Sequence, residues 1–488
     1  MTKLKITGRE NEIAIFRQIE QAKTAHFVAV YGRRRVGKTF LVRQYFSNSK
    51  AVYLETTGVK DAPLATQLGK FSAELSRVFF DGIPIQIPVS WDEAFDLVNK
   101  QLQTISPRKK VVMFLDELPW LASKKSKLIQ ALDYYWNAHF SKVPNFILIV
   151  CGSAASWMLD NLIHAKGGLY NRLTVRMHLE PFDLKETKKF LENNSIKLSN
   201  SQILDLYMAI GGIPFYLKEA KKGQSACQII DALCFKKSGL LHSEFENLFH
   251  ALFDQAEVHQ KIIEEMAKAG SVISREALLK VLRLKSGGAI NRRLYELEAS
   301  GFIKCYVPYG NKKRDRYYRI IDEYTLFYLK WIEPLVRSGA YSGKEDHWQK
   351  LAKSSSRYSW AGYAFESICL KHVHQISQAL GLSKISYLVG TWRYIPRKGS
   401  KEQGAQIDLL FDRDDGVVNI CEIKYCDQKF VIDKAYAKNL MQKIEVFQKR
   451  VNTSKELFLS MITTRGVKKN LWSKELMHSE ATLDDLFK

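Results

Sequence analysis

The fold is decided by the stretch Tyr31-Gly32-Arg33-Arg34-Arg35-Val36-Gly37-Lys38-Thr39. It follows the apolar run 27–30 and precedes a segment, 40–46, that has the pattern of a helix. A strand, a glycine-bounded loop and a helix form the context that the motif G-x-x-x-x-G-K-[ST] requires. Gly32 and Gly37 permit backbone torsions that let successive N–H groups surround phosphates, and the helix N-terminus adds positive potential. The stretch therefore predicts a nucleoside triphosphate site, against the alternative of a chance Gly-Lys turn.

Two side chains of this motif have specific chemical roles in the prediction. Lys38 is placed to reach the β- and γ-phosphates, and the Thr39 hydroxyl is placed to bind Mg²⁺. The predicted nucleotide contacts are the loop and the residue after it: Gly32, Arg33, Arg34, Arg35, Val36, Gly37, Lys38, Thr39 and Phe40. The partner of the three arginines is left open between phosphate, an acidic neighbour and solvent.

The charge of the chain points to a polyanionic partner. The 488 residues carry a formal net charge of +23, and the pI is about 9.5. Nucleotide binding alone does not require such an excess of positive charge, whereas binding to nucleic acid or to an acidic membrane surface is favoured by it. Nucleic acid is the first expectation. At about 150 residues per domain, the length allows about three domains or a few more.

The cysteines and the apolar runs indicate a cytoplasmic protein. Seven cysteines, an odd number with no C-x-x-C pair, are typical of reduced thiols rather than of a disulfide framework or a zinc site. The N-terminal residues contain no apolar signal core, and no apolar run is long enough to span a bilayer. We therefore expect no membrane partner.

Two carboxylates follow a second apolar run. Residues 111–115 are typical of a parallel strand buried on both faces, and Asp116 and Glu117 come directly after them. Ligands bind at the carboxyl ends of strands in an open α/β sheet. We expect Asp116 to hold the Mg²⁺ shell and Glu117 to orient or deprotonate the attacking water. The alternative is an acidic cap on the following helix.

Two further positions are candidates for contact with the γ-phosphate. The apolar strand 146–151 ends at a glycine followed by serines, so that Ser153 or Ser156 is placed to sense this phosphate. Arg172 precedes the last strand of the predicted sheet and offers its guanidinium to a γ-phosphate in its own site or, in a homo-oligomer, in a neighbour's. In so basic a chain the alternative is an ordinary surface arginine. The oligomeric state is left open.

Several motifs together resemble the archaeal-type ATPases, a family within the wider AAA+/STAND group of P-loop NTPases. They are the P-loop with its arginines, Gly8-Arg9-Glu10, Asp116-Glu117-Leu118-Pro119-Trp120-Leu121, Gly152-Ser153 and Gly211-Gly212-Ile213-Pro214-Phe215-Tyr216-Leu217. The resemblance covers residues 1–335, and it implies ATP as the nucleotide, an αβα core and a helical lid whose Pro214 turn faces the nucleotide. For Gly8-Arg9-Glu10 a nucleotide-base contact and an exposed helix start are both open. A lid arginine of the AAA+ sensor-2 kind is not evident, which leaves open whether ATP drives a ring-shaped motor or sets a slow switch.

Residues 258–321 have the pattern of three helices and a basic hairpin. The helices are predicted at 260–269, 275–282 and 289–299, and the hairpin tip at 310–314. This is the plan of a winged helix, a helix-turn-helix variant. The predicted DNA contacts lie in the third helix and the hairpin: Arg292, Arg293, Lys312, Lys313, Arg314 and Arg316. The alternative is a winged helix that serves only packing or protein contacts.

A second set of charged residues lies in the last third of the chain. Two predicted strands, 406–411 and 417–425, carry Asp408 on the first and Glu422 and Lys424 on the second. Residues two apart on a strand face the same side, and Asp408 on the neighbouring strand can join them. Two carboxylates and a lysine on one face of a sheet are costly unless they hold a metal and activate water.

With Glu366 on a preceding helix, this set is similar to the PD-(D/E)xK restriction-endonuclease-like nucleases, over residues 358–488. The resemblance implies that Asp408, Glu422 and the Ile423 carbonyl bind Mg²⁺. It implies that Lys424 orients the nucleophilic water or stabilises the phosphorane, and that Glu366 completes the outer metal shell. Two alternatives stay open: an ion pair on a solvated strand face, and a nuclease fold kept only for DNA binding.

The predicted fold class is α/β: a P-loop NTPase αβα core with a helical lid, a winged-helix domain and a C-terminal restriction-endonuclease-like α/β domain. The predicted boundaries are 1–182 for the core, 183–256 for the lid, 257–335 for the winged helix, 336–357 for a linker and 358–488 for the nuclease-like domain. The favoured function is an ATP-dependent DNA-processing enzyme in which ATP gates a Mg²⁺-dependent nuclease, in defence or mobile-element biology. The alternative is a nucleotide-switched DNA-binding regulator or STAND-like scaffold with an inactive nuclease fold.

Overall fold

The computed structural model describes residues 6–163, 169, 171–270, 272–339, 346–351, 354–397, 399 and 402–488. The chain divides into two units. The first comprises Met1–Pro181, Leu252–Asp254 and Arg292–Gly301, and the second comprises Phe182–Ala251, Gln255–Asn291 and Phe302–Lys488.

The first unit is built on five parallel strands: β1 (His26–Tyr31), β2 (Val52–Thr57), β3 (Val111–Asp116), β4 (Phe146–Gly152) and β5 (Val175–His178). They form one sheet in the order β2-β3-β4-β1-β5. Residues such as Phe27, Met113 and Leu148 belong to a core cluster on one face. Their neighbours Val28 and Phe114 are also fully buried. Because strand side chains alternate between faces, both faces of the sheet are covered, which explains the continuous apolar runs. The predicted α/β core is confirmed.

Helices flank this sheet between the strands. They are α1 (Glu10–Gln21), α2 (Lys38–Phe46), α3 (Leu64–Phe79), α4 (Trp91–Thr104), α5 (Leu118–Leu121), α6 (Leu128–Ala138) and α7 (Ala155–Met158), with a 3-10 turn at Phe140–Lys142 and a π-helical turn at Leu159–Ile163. Helix α4 begins after Ser90, whose hydroxyl accepts a hydrogen bond from the Glu93 backbone N–H and so caps the helix. The edge-on contact of Phe71 with Trp91, 5.4 Å between ring centroids, joins α3 to α4 over the sheet.

The second unit begins with a run of helices, as predicted for residues 183–256. They are α8 (Leu184–Asn193), α9 (Asn200–Ile210), α10 (Pro214–Leu217), α11 (Ala226–Ile230) and α12 (Glu244–Leu252), with a π-helical turn at Asp231–Phe235. The Gly-Gly pair before α10 has a steric reason. Gly211 has φ +66°, and a Cβ on Gly212 would lie 1.8 Å from the Phe182 carbonyl oxygen. The Phe182 N–H donates to the Gly212 carbonyl at 2.7 Å. This hydrogen bond holds the two backbone segments at the short distance that excludes a side chain at position 212.

Three helices and a small antiparallel sheet follow. The helices are α13 (Ala256–Lys268), α14 (Arg275–Leu282) and α15 (Gly288–Ala299), and the strands are β6 (Val272–Ser274), β7 (Ile303–Tyr306) and β8 (Tyr317–Ile320), in the order β6-β8-β7. The three helices and the hairpin were predicted from the sequence, and α13 begins four residues earlier than expected. The winged-helix assignment of these elements stays a prediction.

The predicted linker, 336–357, contains regular structure in its described part. Helix α16 (Glu323–Phe327) and a π-helical turn at Tyr328–Ile332 lead into α17 (Glu333–Ser338), and α18 (His347–Leu351) follows. Residues 340–345 and 352–353 of this linker lie outside the described residues. Trp348 of α18 is buried and stacks edge-on against Phe327 and Trp360. This aromatic packing holds α18 in place although its sequence has no strong periodicity.

The last part of the second unit is a mixed five-stranded sheet. Its strands are β9 (Tyr387–Tyr394), β10 (Ala405–Arg413), β11 (Val417–Lys424), β12 (Glu456–Thr463) and β13 (Met477–Thr482), in the order β13-β12-β11-β10-β9. The helices of this part are α19 (Ser355–Lys371), α20 (Val373–Ala379), α21 (Lys434–Val451) and α22 (Leu471–Leu476), with a 3-10 turn at Leu483–Phe487. The predicted hairpin is β10–β11, which pairs antiparallel, whereas β11, β12 and β13 pair parallel.

His372, between α19 and α20, is buried and holds a fixed tautomer. Its Nδ1–H donates to the Ile368 carbonyl at 2.8 Å, and its Nε2 accepts from the Leu184 backbone N–H at 3.1 Å. Burial lowers the pKa of this imidazole below its usual range. Protonation at Nε2 would place a donor against the Leu184 donor, so the ring is held neutral.

We predict that acid destabilises the fold through His372. Its folded pKa lies below the unfolded value of about 6.5, so its contribution to stability is complete above about pH 6.5 and is lost as the pH falls further. His372→Gln keeps an acceptor for Leu184 without a titrating ring. The urea midpoint of the full chain should fall less between about pH 7.5 and about pH 5.5 in this variant than in the wild type. His374→Gln, an exposed neighbour, is the matched control. An equal acid loss in wild type and His372→Gln would contradict the assignment.

Candidate functional site

The loop between β1 and α2 has the backbone that phosphate binding requires. Gly37 precedes α2 with φ +93°, and the space around a Cβ built on it is open to 4 Å. Gly32 has φ +137°, and a Cβ there would lie 2.3 Å from the Leu179 carbonyl oxygen. A glycine is therefore required at position 32 both by its backbone torsion and by the lack of space for a side chain. At position 37 a glycine is required by its backbone torsion alone, and the open space there lies in front of a helix N-terminus.

Lys38 lies inside this loop. Its side chain is only 5% exposed, and its Nζ donates to the carbonyl oxygens of Gly32 at 3.0 Å and Arg33 at 2.9 Å. Burial lowers the pKa of the ammonium, and nearby Asp116 and Glu117 act in the opposite direction. A buried cation surrounded by backbone dipoles next to a helix N-terminus fits the phosphates of a nucleoside triphosphate.

Thr39 and Asp116 form the second part of the loop site. The Thr39 hydroxyl lies 3.1 Å and 3.0 Å from the two carboxylate oxygens of Asp116. Asp116 ends β3 and is almost fully buried. Burial and the Glu117 carboxylate raise the pKa of Asp116, although hydrogen bonds from Thr39 and Cys151 oppose them. A hydroxyl and one carboxylate fit Mg²⁺, which keeps several waters and uses substrate phosphates as further ligands.

Glu117 and Ser153 are brought together at the ends of neighbouring strands. The Ser153 hydroxyl donates to Glu117 Oε1 at 2.5 Å, and the Ser153 backbone N–H donates to Oε2 at 3.0 Å. Glu117 has φ +48°, a left-handed conformation that is uncommon outside glycine. Both carboxylate oxygens of Glu117 are therefore fixed by Ser153, one of the two serines, with Ser156, predicted to sense the γ-phosphate.

Arg9 supports the loop from outside the motif. Its guanidinium donates to the carbonyl oxygens of Val36 at 3.3 Å and of Glu180 at 2.7 Å, and is almost fully buried. It thereby ties the loop to the residues after β5. This use of Arg9 favours neither of the two sequence interpretations of Gly8-Arg9-Glu10, since it is a contact to the backbone. No periodicity or spacing in the sequence indicated it.

The remaining predicted nucleotide residues have varied positions. Arg33 is buried, Arg34 and Arg35 are half-buried, and Arg35 has φ +71°. Phe40 on α2 is 40% exposed, and Arg172 is exposed. Pro214 opens α10 and belongs to the second unit. The roles given to these residues stay predictions.

In the second unit, Asp408 and Glu422 lie on paired strands. The register pairs Leu409 with Cys421, and continuing it by one residue sets Asp408 opposite Glu422 on the same face. Asp408 accepts hydrogen bonds from the Ile423 backbone N–H and from Gln406 Nε2, both at 3.2 Å. Burial, together with the Glu366 and Glu422 carboxylates, raises the pKa of Asp408 to about 7.

Glu422 is buried among positive and hydroxyl groups. Lys424 Nζ lies 2.9 Å from its Oε1, Lys443 Nζ lies 2.8 Å from its Oε2, and the Tyr436 hydroxyl donates to Oε1 at 2.7 Å. Burial acts to raise the pKa of Glu422, but the two ammonium groups outweigh it and hold the pKa below its usual range. The predicted shared face of Glu422 and Lys424 is therefore observed.

Lys443 and Tyr436 were not predicted as site residues. They lie seven residues apart on α21, which puts them on one helix face. This spacing was the available signal, but a lysine and a tyrosine on an amphipathic helix are ordinary surface residues unless their partner is known.

Glu366 pairs with a residue that the sequence did not connect to it. Arg319 of β8 donates from Nη2 to Glu366 Oε1 at 2.7 Å, and both side chains are largely buried. Although burial alone would lower the pKa of the Arg319 guanidinium, Glu366 keeps it above its usual range. Within the described ranges, no group of three or more His, Cys, Asp or Glu side chains could hold a metal ion between them.

The predicted DNA contacts fall into two groups. The hairpin residues are exposed: Lys312, Lys313, Arg314 and Arg316. Arg292 on α15 is instead engaged by carboxylates, since its Nε lies 2.7 Å from Glu296 Oε1 and its Nη1 contacts Asp160. Arg293 is half-buried. The hairpin is thus the part of this set that is available to a phosphate backbone, and all six contacts stay predictions.

Comparisons with known proteins match the chain over different lengths. Residues 6–220 match a family model described as an ATPase domain predominantly from Archaea. An uncharacterised protein of Methanocaldococcus jannaschii is 22% identical over 427 residues, which cover 86% of this chain and 88% of that protein. A Walker-type ATPase of Pyrococcus abyssi is similar in structure at 17% identity with a TM-score of 0.47, over 67% of this chain and 96% of the other. The ORC2 protein of Aeropyrum pernix has a TM-score of 0.40 at 16% identity, over 70% of this chain and 96% of the other.

The family match confirms the predicted ATPase domain, and it ends before the C-terminal sheet. The assignment of that sheet to the PD-(D/E)xK nucleases stays a prediction. In the described part of the chain, no helix is long and apolar enough to cross a membrane.

We predict that Asp408→Asn stabilises the protein in alkaline solution. The folded pKa of about 7 lies above the unfolded value of about 3.9, so ionisation above pH 7 costs folding free energy that the neutral amide does not incur. In EDTA at about pH 8, the free energy of unfolding of the variant should exceed that of the wild type by on the order of 1–4 kcal/mol. Near pH 4 the two proteins should have the same free energy of unfolding. Urea denaturation measures both. Asp414→Asn, in the exposed β10–β11 turn, should show no such pH dependence. A wild type that is the more stable protein at pH 8 would contradict the account.

Proposed function

We propose that the archaeal-type ATPase domain in residues 6–220 controls a Mg²⁺-dependent DNA nuclease site around Asp408, Glu422 and Lys424. The chain would then be an ATP-dependent DNA-processing protein. The proposed organisation keeps the sequence-derived boundaries: core 1–182, lid 183–256, winged helix 257–335, linker 336–357 and nuclease-like domain 358–488.

The ATP half of the proposal is supported by the loop geometry. Lys38 and the backbone of the loop would hold the phosphates, and Thr39 with Asp116 would hold Mg²⁺, which would neutralise charge on the transferred phosphoryl group. Glu117, fixed through both oxygens by Ser153, would orient the attacking water. Arg172 would reach the γ-phosphate of the same or a neighbouring protomer, and in the second case the active form is a homo-oligomer.

The DNA half is supported by charge. The net charge of +23 and the exposed basic hairpin at Lys312, Lys313, Arg314 and Arg316 provide the electrostatic attraction that a phosphate backbone requires. Phosphate contacts of this kind fix position without reading sequence. The hairpin would therefore hold DNA near the C-terminal sheet irrespective of base sequence.

The nuclease assignment is carried by one observation: the half-buried Asp408 and the buried Glu422 lie opposite each other on paired strands, with the Lys424 ammonium 2.9 Å from Glu422. The residues fit Mg²⁺, because this ion takes one or two carboxylates and completes its shell with water and substrate phosphate. Mutual repulsion of Asp408 with Glu366 and Glu422 favours a cation at this place. Asp408, Glu422 and the Ile423 carbonyl would hold the ion, which would activate water for attack on phosphorus. Lys424 would stabilise the developing charge, and Glu366 would support the outer shell.

A second function is favoured by the ion pairs of the same site. Glu422 is neutralised by Lys424 and Lys443, and Glu366 by Arg319. Carboxylates that are neutralised by their own protein can serve a purely structural purpose. On this account the C-terminal sheet binds DNA without cutting it, and the chain is a nucleotide-switched DNA-binding regulator or scaffold.

Cleavage by Asp408→Asn separates the two functions. The full-length wild type with ATP and Mg²⁺ or Mn²⁺ should cut at least one of supercoiled, linear duplex or single-stranded DNA. Asp408→Asn should reduce this rate by about 100-fold or more, since it removes a metal ligand and its negative charge. Asp414→Asn is the control for the same chemical change at an exposed position and should keep full activity. No cleavage of any DNA form by the wild type supports the regulator, and equal cleavage by Asp408→Asn rules out this site.

A further inference from the structure

The second unit contains a cavity of about 680 Å³ that the proposed function does not yet use. Its wall is formed by α13, the small sheet of β6, β7 and β8, the segment from α16 to α17, α19 and the strands β9 and β10, and it includes Glu366 and Asp408. The volume is in the range of small-ligand sites. It has room for one or two nucleotides, whereas two paired strands of a duplex do not enter such a space.

The aromatic side chains of this wall are the kind that stack on bases. Five aromatic residues line the cavity: Tyr306 and Tyr317 from the small sheet, Trp360 and Tyr363 from α19, and Trp392 from β9. Tyr363 is 65% exposed, so its ring is accessible to a ligand in the cavity. It precedes Glu366 by three residues, so both lie on one face of α19. Aromatic rings at the edge of an accessible cavity form a stacking surface for unpaired bases.

Among the described residues, the wall carries as many cations as carboxylates, and most of these carboxylates are engaged by a cation. Glu264 and Glu333 both pair with Arg337, and Glu366 pairs with Arg319. In the part of the chain that the structure describes, the wall cations Lys330 and Arg393 have no carboxylate within ion-pair distance. Exposed cations beside stacking rings match the alternation of phosphate and base along a single strand.

We propose that this cavity binds an unpaired nucleotide of a DNA strand, with its base on Tyr363 and its phosphates near Lys330 and Arg393. The inference rests on the proposed function only in naming DNA as the ligand. Because the cavity ends at Glu366 and Asp408, it would present the strand to the predicted nuclease site. The substrate class is then DNA with an unpaired stretch: an overhang, a flap or a melted segment.

Binding by Tyr363→Ala and Tyr363→Phe tests the inference independently of cleavage. Fluorescence anisotropy with the full-length protein in EDTA would compare a single strand, a tailed duplex and a blunt duplex of one sequence. Loss of the stacking ring in Tyr363→Ala should weaken binding of the single strand and the tailed duplex by about 5- to 100-fold. Tyr363→Phe keeps the ring and should bind as the wild type does. The blunt duplex should be unaffected by either change.

Three results would overturn the inference. They are an equal loss for the blunt duplex, an equal effect of Ala and Phe at position 363, and tighter binding of an RNA strand through Tyr363. Because EDTA prevents metal-dependent cutting, the pattern expected for Tyr363 supports the cavity assignment even if no DNA is ever cut. Cleavage of duplex DNA without any effect of Tyr363 would reject the cavity assignment and leave the nuclease proposal intact.

Discussion

The first unit depends on a buried positive charge at the end of β1. Lys38 Nζ is held by the carbonyl oxygens of Gly32 and Arg33, and the loop can curl around it only because Gly32 and Gly37 adopt torsions that other residues rarely reach. Taking an ammonium out of water is costly unless dipoles or anions replace the water. The loop carbonyls meet part of that requirement, and the phosphates of ATP would meet the rest. The neighbouring strand ends then present Asp116, Glu117 and Ser153 to the same ligand.

The C-terminal sheet has the opposite arrangement, since the carboxylates there are buried or half-buried, and Glu422 and Glu366 are paired with cations of the same strand and of other elements. Lys443 and Tyr436 tie α21 to Glu422 on β11, and Arg319 ties β8 to Glu366 on α19. Such pairs hold elements in register, because removing one partner leaves an uncompensated charge in a low-dielectric site. Among the described residues, a backbone N–H and a side-chain amide donate to the Asp408 oxygens, and no ammonium or guanidinium does. Burial and the neighbouring Glu366 and Glu422 carboxylates raise the pKa of Asp408, whereas the two ammonium groups on Glu422 hold the pKa of Glu422 below its usual range.

Sequence patterns predicted the elements far better than the contacts between them. The P-loop, the three buried strands 27–30, 111–115 and 146–151, and the β10–β11 hairpin could be predicted because apolar periodicity and glycine placement are local properties. The aromatic packing of Trp348 inside the predicted linker could not. Arg319 and Glu366 are 47 residues apart, and Arg9 reaches Glu180 across 171 residues. Which cation meets which carboxylate is fixed by tertiary packing, and a chain this rich in lysine and arginine offers many equivalent candidates.

The central claim is that the P-loop controls chemistry at the C-terminal sheet, and the most direct measurement is the ATP dependence of DNA cleavage by wild type and Lys38→Ala. Single-turnover cleavage would be followed in Mg²⁺ with ATP, with a non-hydrolysable analogue and without nucleotide. The wild-type rate should change with the nucleotide, and the Lys38→Ala rate should be the same in all three conditions, because the loop can no longer hold the phosphates. A Lys38→Ala protein that responds to ATP as the wild type does would contradict the account.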